Sequence, residues 1–244
     1  MTLLRVNLIL FEPDDLVRPL QRTDPRARHV LEVLRRQDGD TFDAGLVNGP
    51  RGKATVTTVD SDALHLAFSW GPPPLPPDPL TLLVGLPRPQ TARDILRDAT
   101  TLGVHAIHFV RTEKTERSYA QSTLWSSGEW RRHLLTGAEQ AFDTRIPEVT
   151  SGRTLSDALA TLPVASARLA LDNYESPAPL SSYAGRATTP HVLALGGERG
   201  WSGRDRDTLR REGFQFLHLG PRILRTETAV IAALTLVRAR LGLI

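Results

Sequence analysis

The stretch Trp70–Leu80, WGPPPLPPDPL, divides this chain into two parts that follow different rules. Its six prolines lack amide donors and fix φ, so neither a helix nor a central strand fits there. The run reads as an extended, semi-rigid spacer. The fold is set by what lies on either side of it.

Upstream the signals are mainly strand-like. LLRVNLIL (residues 3–10) and DTFDAGLVNGPRGKATVTTVDSDALHLAFSW (residues 40–70) are rich in β-type residues, and Asn48–Gly52 forms a strong turn cluster inside the second. ARHVLEVLRR interrupts them with Ala27, Val30, Leu31 and Leu34 at helical spacing. The expectation is a compact β-barrel with one helix over residues 1–71, followed by a linker at 72–79.

Downstream, over residues 80–244, strands and helices alternate. TLLVGL, VHAIHFV, ARLALD, HVLALGG and FQFLHLG read as strands. TARDILRDATTLG, SGEWRRHLLTGAEQAF, TLSDALATL and RDRDTLRREG read as helices, and a last helix begins near Thr226. Gly103 and Gly213 are placed to end two of them. Such alternation implies an α/β domain built on a mostly parallel sheet.

Composition narrows the chemistry. The chain has 244 residues, 40% hydrophobic and 23% charged, which is ordinary for a globular protein. It has no cysteine, so disulfides, thiolate zinc sites and cysteine nucleophiles are excluded. Its seven histidines show no metal-ligand spacing, and there is no G-x-S-x-G elbow. No apolar run approaches the roughly 20 residues of a membrane span, and MTLLRVNLILFEPDD turns acidic too soon for a signal peptide. A cytoplasmic protein without a membrane partner is expected. Lys53 and Lys114 are the only lysines among 30 basic residues. GC-rich coding or heat adaptation would account for that bias without any function. Arg18, Arg22, Arg26, Arg28, Arg35 and Arg36 cluster within residues 18–40. Such a cluster either neutralises nucleic-acid phosphates or is a solvated helix face.

Two strand ends carry chemistry, and ligands of open α/β sheets bind at strand carboxyl ends. LALGGERGWS (193–202) brings Gly196, Gly197 and Gly200 together. Its spacing is neither a dinucleotide fingerprint nor a P-loop, so it is a tight turn or a site of another kind. LGPRILRTETA (219–229) places Arg222 and Arg225 around Ile223 and Leu224. Apolar side chains there can cover a flat ring while backbone groups read its edge, which suits a nucleoside-like cofactor without a long phosphate chain.

With both loops in view the chain resembles, along its whole length, the RsmE family of 16S ribosomal RNA (uracil-N3) methyltransferases of the SPOUT superfamily. LGPRILRTETA carries the likeness most specifically, joined by GGERGWS, ATTLGV, TERSYA, AEQAFDTRIPEV and RHVLEVLRRQDGD. The resemblance implies a PUA-like RNA-binding domain, a SPOUT domain with a deep trefoil knot, S-adenosylmethionine as cofactor, a homodimer, and the small ribosomal subunit as partner. It implies methyl transfer to uracil N3, at the family site uracil-1498. The implied cofactor residues are Leu171, Leu195, Gly196, Gly197, Glu198, Gly200, Leu219, Gly220, Ile223, Leu224 and Arg225. Arg225 is the first candidate to hold the uracil or favour its imidate form, and Glu198 is a second, to orient the substrate or accept a proton. Arg26, Arg28, His29, Arg35, Arg36 and Arg117 are the implied RNA contacts.

The chain also departs from the family pattern. Arg199 stands where glycine is usual, and would be strained if that position needs a positive φ. Thr101 replaces a glutamate, Arg88 is the nearest substitute for a lysine, and Phe142 or Asp143 stands near a usual arginine. Two rival readings follow: methylation at another RNA site, or a cofactor-free RNA-binding or ribosome-assembly protein.

Overall fold

The computed structural model of the chain describes residues 8–244 and divides into two compact units. The described residues up to Pro76 form the first together with Ala138–Ile146; Pro77–Gly137 and Pro147–Ile244 form the second.

In the first unit, β1 (Ile9–Phe11), β2 (Leu20–Gln21), β3 (Thr41–Leu46), β4 (Arg51–Val59) and β5 (Ala63–Trp70) make one sheet in the order β1-β3-β4-β5-β2. The Asn48–Gly52 turn joins β3 to β4 as expected, with Gly49 N donating to Leu46 O. The strand expected at residues 3–10 falls mostly outside the described residues; its end is β1. Phe11, Phe42, Ala54, Val56 and Leu64 are buried together on one side of this sheet.

The single expected helix is present but not regular. It begins as α1 (Pro25–Arg28), with Pro25 at its first position and the Asp24 side chain accepting from Arg26 N. From His29 to Val33 it widens into a π turn, with Leu34 N donating to His29 O. Ala27 and Val30 still reach the core through that widening, while Leu31 and Leu34 are only partly buried. Arg35 then ends the helix with φ 52°, a left-handed position more often taken by glycine.

Ala138–Ile146 docks on the β3–β4 turn: Thr144 Oγ1 donates to Gly49 O at 2.6 Å, Asn48 N to Thr144 O at 2.8 Å and Arg51 Nη1 to Phe142 O at 2.8 Å. Phe142 adopts φ 55° there, and Asp143 pairs with Arg145 at 2.6 Å.

Arg26 is tied to Asp15 at 2.5 Å and to Asp24 at 2.8 Å. Burial opposes ionisation of both carboxyls, but hydrogen bonds from Arg26 and from backbone amides outweigh it and hold both below the ordinary 3.8. A lowered folded pKa gives stability that is present above 3.8 and is lost as pH falls through the folded values. Arg26→Ala is therefore expected to destabilise the protein at pH 7, with its difference from wild type shrinking below pH 3.8. Urea unfolding at a series of pH values checks this; a pH-independent difference would show that the contact of the Arg26 guanidinium with the Phe11 ring is what matters.

The second unit contains β6 (Leu80–Gly85), α2 (Pro89–Thr101), β7 (Ala106–Arg111), α3 (Thr123–Ser126), most of α4 (Glu129–Gln140), β8 (Glu148–Thr154), α5 (Leu155–Leu159), β9 (Ala167–Leu171), β10 (Ala178–Pro179), β11 (His191–Leu195), α6 (Gly203–Arg211), β12 (Gln215–His218) and α7 (Thr226–Arg240). The sheet order is β10-β12-β9-β11-β6-β7-β8, and every pairing is parallel. The expected parallel α/β sheet is thus present. Every residue of β6 and β11 is buried, because parallel central strands are covered on both faces. Gly103 and Gly213 follow α2 and α6 with φ near 76° and 77°.

β8 and β10 are additional. EVTSGRT forms the edge strand β8, whose mostly polar, exposed or half-buried residues offer no hydrophobic pattern to read. Thr101 has a packing role: its hydroxyl lies 3.0 Å from both Arg97 O and Gly137 O, where α4 crosses α2. A Cβ on Gly137 would sit 2.3 Å from Arg97 O, so the crossing is too close for any side chain at that point.

Candidate active site

The central strands β9, β11 and β12 release their chains at the same end of the sheet, and three loops meet there. They enclose a cleft of about 600 Å³. Such a volume suits a small organic ligand, typically roughly 300–1,000 Å³. Leu171–Tyr174 follow β9, Leu195–Trp201 follow β11, and Leu219 with Arg222–Glu227 follow β12 into α7. Arg88 and Thr91, at the start of α2, complete the wall.

The glycine loop after β11 is packed backbone to backbone. A Cβ on Gly196 would lie 2.7 Å from Gly200 Cα, and one on Gly85 would lie 2.6 Å from Gly197 N. Gly200 N donates to Gly197 O at 2.8 Å, and Gly200 takes φ 62°. Arg199 is absent from the left-handed residues, so the strain anticipated for it does not arise: the reversal falls on Gly200. Arg199 is exposed, and its carbonyl accepts from Lys114 Nζ at 3.0 Å. Lys114 also donates to Trp201 O at 2.9 Å. One lysine thus holds both ends of the reversal, a role no motif disclosed.

Trp201 is buried and structural. Its Nε1 donates to Leu171 O at 3.0 Å, tying the glycine loop to the end of β9. Glu198 accepts from Arg88 N at 3.0 Å through Oε1, with the Arg88 guanidinium 3.8 Å away. In this geometry Glu198 fastens the loop to the start of α2. Gly196→Ala is expected to force the reversal open by about 1–3 kcal/mol of overpacking. Circular dichroism should change little while ligand binding to the cleft weakens; unchanged binding would mean the loop is not part of the pocket.

Of the sequence-derived cofactor set, Leu171, Leu195, Gly196, Gly197, Glu198, Gly200, Leu219, Ile223, Leu224 and Arg225 all line this one cleft. Gly220 does not line it; with φ 96° it turns the chain as β12 ends, its N–H donating to His218 Nδ1. Arg225 occupies the N-cap position of α7, and its carbonyl accepts from Ala229 N. Among the described residues no hydrogen bond or ion pair engages the guanidinium of Arg225 or Arg222. Ile223 is 79% exposed at the same mouth.

The resemblance implies Leu171, the last residue of β9, but not its neighbour Asp172. The Asp172 side chain is 2% exposed, and its Oδ2 accepts from Arg206 Nε at 2.7 Å. Its Oδ1 accepts from Tyr174 N at 2.6 Å and Glu175 N at 3.0 Å. Arg206 also lies 3.7 Å from Glu175, which pairs with Arg210 as well. A lone acid after a strand carries no motif; only the fold brings α6 across it.

The implied RNA contacts fall on both units. Arg28, Arg35 and Arg36 are exposed on the first unit, with His29 half-buried beside them. Arg26 is committed to Asp15 and Asp24. Arg117 is exposed on the second unit, opening a short 3₁₀ turn. Among the described residues no group of three metal-ligating side chains occurs, and no helix is long and apolar enough to cross a membrane.

Comparison with known proteins places this architecture. Residues 74–238 match the RNA methyltransferase domain family. The chain is 35% identical over 247 aligned positions to ribosomal RNA small subunit methyltransferase E of Treponema pallidum, covering 96% of this chain and 91% of that protein. A probable rRNA methyltransferase from Porphyromonas gingivalis shares the fold with a TM-score of 0.81 at 20% identity, over 96% of this chain and 98% of that one. The Neisseria gonorrhoeae ribosomal RNA small subunit methyltransferase E, solved bound to S-adenosylmethionine, aligns with a TM-score of 0.74 at 23% identity, over 95% and 97% of the two chains. By its sequence along nearly its full length, the chain belongs to the ribosomal RNA small subunit methyltransferase E (RsmE) family of RNA methyltransferases.

Proposed function

We propose that this protein transfers the methyl group of S-adenosylmethionine to N3 of a uracil in 16S ribosomal RNA, the family site uracil-1498. The observation that carries this reading is the Arg225 guanidinium, without a partner among the described residues, in a cleft walled by the glycine loop and the Leu219–Arg225 loop. Family membership supplies the reaction class.

The residues present fit the cofactor. The cleft has the right size, the Gly196–Gly200 turn offers bare backbone at its edge, and Ile223 and Leu224 offer apolar cover. Leu171, Leu195, Gly196, Gly197, Gly200, Leu219, Ile223 and Leu224 would hold it. When bound, S-adenosylmethionine supplies an electrophilic methyl group on a sulfonium.

The protein's task is positioning and charge compensation. Uracil N3 is a weakly acidic imide nitrogen and becomes a nucleophile as its proton leaves. Arg225 places a fixed positive charge where the imidate develops, and a charge already aimed at that position need not reorganise as the reaction proceeds. Glu198 holds the glycine loop to the Arg88 backbone and so orients the cofactor wall. Alignment of the two reactants contributes further, up to roughly 7–11 kcal/mol in favourable cases.

The rest of the reading follows the family. The first unit is a PUA-like RNA-binding domain that grips the flanking backbone through Arg28, Arg35 and Arg36. The second is a SPOUT domain whose two cleft loops belong to a trefoil knot. The enzyme acts as a homodimer in the cytoplasm. The test is incubation of the full chain with undermethylated small ribosomal subunits and labelled S-adenosylmethionine, then nucleoside mass spectrometry and mapping. 3-Methyluridine at one position supports the reading. Label in a different nucleoside moves the chemistry to another RNA site, and no label with a bound cofactor removes the enzyme reading.

A further inference from the structure

The mouth of the cleft carries one aromatic side chain that the mechanism above does not use. Tyr174 is 77% exposed, although it lines the cleft. A tyrosine left so open gains little from its own fold, yet it is held firmly. Its backbone N–H donates to Asp172 Oδ1 at 2.6 Å. The Arg206 guanidinium lies over its ring, 5.4 Å from the centroid. Arg206 is in turn fixed by its buried pair with Asp172. The ring is therefore backed on one side by a positioned cation and open on the other.

We infer that Tyr174 is a positioning residue whose open face stacks against the RNA base presented for methylation. The inference rests on the methyltransferase reading and adds the element that receives the base. Two features favour an RNA base over the adenine of the cofactor. The strand-end part of the cofactor wall is deep, with Leu171 and Leu195 both buried, whereas Tyr174 stands with Ile223 at the exposed mouth. Arg222 and Arg225, exposed and without partners among the described residues, line the same mouth and suit a polyanion. A base taken out of an RNA stack loses its neighbours' π faces, and an enzyme recovers part of that cost by offering another ring. Tyrosine does this for any base, which leaves selection of the atom to be methylated to the groups deeper in the cleft.

The test compares wild type, Tyr174→Ala and Tyr174→Phe as full chains. Removing a stacking ring should raise KM for the small-subunit RNA substrate roughly 5- to 100-fold, by the usual cost of one base–aromatic stack. Tyr174→Phe should keep near-wild-type KM, since the ring is retained. S-adenosylmethionine affinity, measured by calorimetry without RNA, should be the same in all three. RNA carrying 5-iodouridine at the target position should, on irradiation, crosslink to Tyr174. Weakened cofactor binding in Tyr174→Ala would assign the ring to adenine and overturn the proposal. Equal KM for wild type and Tyr174→Ala, with wild type active, would overturn it while leaving the methyltransferase reading intact. A wild type that binds cofactor but methylates no small-subunit RNA would remove the parent reading and this one together.

Discussion

Arg225→Ala is expected to lower methyl transfer by roughly 10²- to 10³-fold, the usual cost of deleting one preorganised stabilising group from a reaction site. The fold should survive, because the guanidinium has no hydrogen bond or ion pair among the described residues to lose. Its structural part is played by the backbone: the Arg225 carbonyl accepts from Ala229 N, and alanine keeps that bond. The thermal midpoint should therefore stay close to wild type while kcat falls. Arg225→Lys separates two explanations. A lysine retains the charge but not the planar fork, so partial recovery assigns the effect to charge, and none assigns it to bidentate geometry. Single-turnover methylation of small subunits, with a melting curve on the same preparations, decides the matter. A variant as active as wild type removes Arg225 from the mechanism.

The second large effect is on stability. Asp172→Ala should cost the second unit about 3 kcal/mol, at the lower end of what breaking a buried ion pair costs, because Glu175 stays 3.7 Å from Arg206. Three contacts are lost at once: the one that neutralises Arg206, and those that accept from the Tyr174 and Glu175 amides. Asp172→Asn keeps an acceptor for those amides and loses only the charge, so it should fall between alanine and wild type. Urea unfolding of the three proteins gives the order. If asparagine is as damaging as alanine, the charge pair carries the whole effect; if asparagine matches wild type, the backbone hydrogen bonds do. The double variant Asp172→Ala with Arg206→Met should recover part of the loss, since no buried charge is then left unpaired.

Both predictions concern one cleft, and its halves were legible in the sequence to different degrees. The glycine loop and the Leu219–Arg225 loop could be read directly, because a chain that reverses within five residues or covers a flat ligand must spend glycines and a distinctive polar-apolar order on local geometry. Leu171 and Leu195 are implied by the family resemblance, and each ends its strand. Asp172, Tyr174, Arg206 and Lys114 left no comparable trace. Each makes its contact across more than thirty residues of chain or through a ring face, as when Asp172 meets Arg206 and Lys114 meets Trp201.

The departures from the family pattern show the same division. Arg199 looked strained in the sequence, but the positive φ belongs to Gly200, one residue on. Thr101 and Asp143 looked like lost chemistry, and the structure gives one a helix crossing and the other an ion pair with Arg145. A residue's type is printed in the chain, whereas the partner it meets is not.

By itself, the sequence determined the parallel α/β sheet, the positions where α2 and α6 end, and the two loops of the cleft. These depend on hydrophobic period and glycine placement, which act over a few residues. Only the tertiary structure decided the edge strand β8, the π turn after Arg28, the return of Ala138–Ile146 to the first unit, and the buried pair that backs Tyr174. The strand, the return and the pair are fixed by packing between segments distant in the chain, where the energy of a contact depends on a neighbour that local sequence does not name.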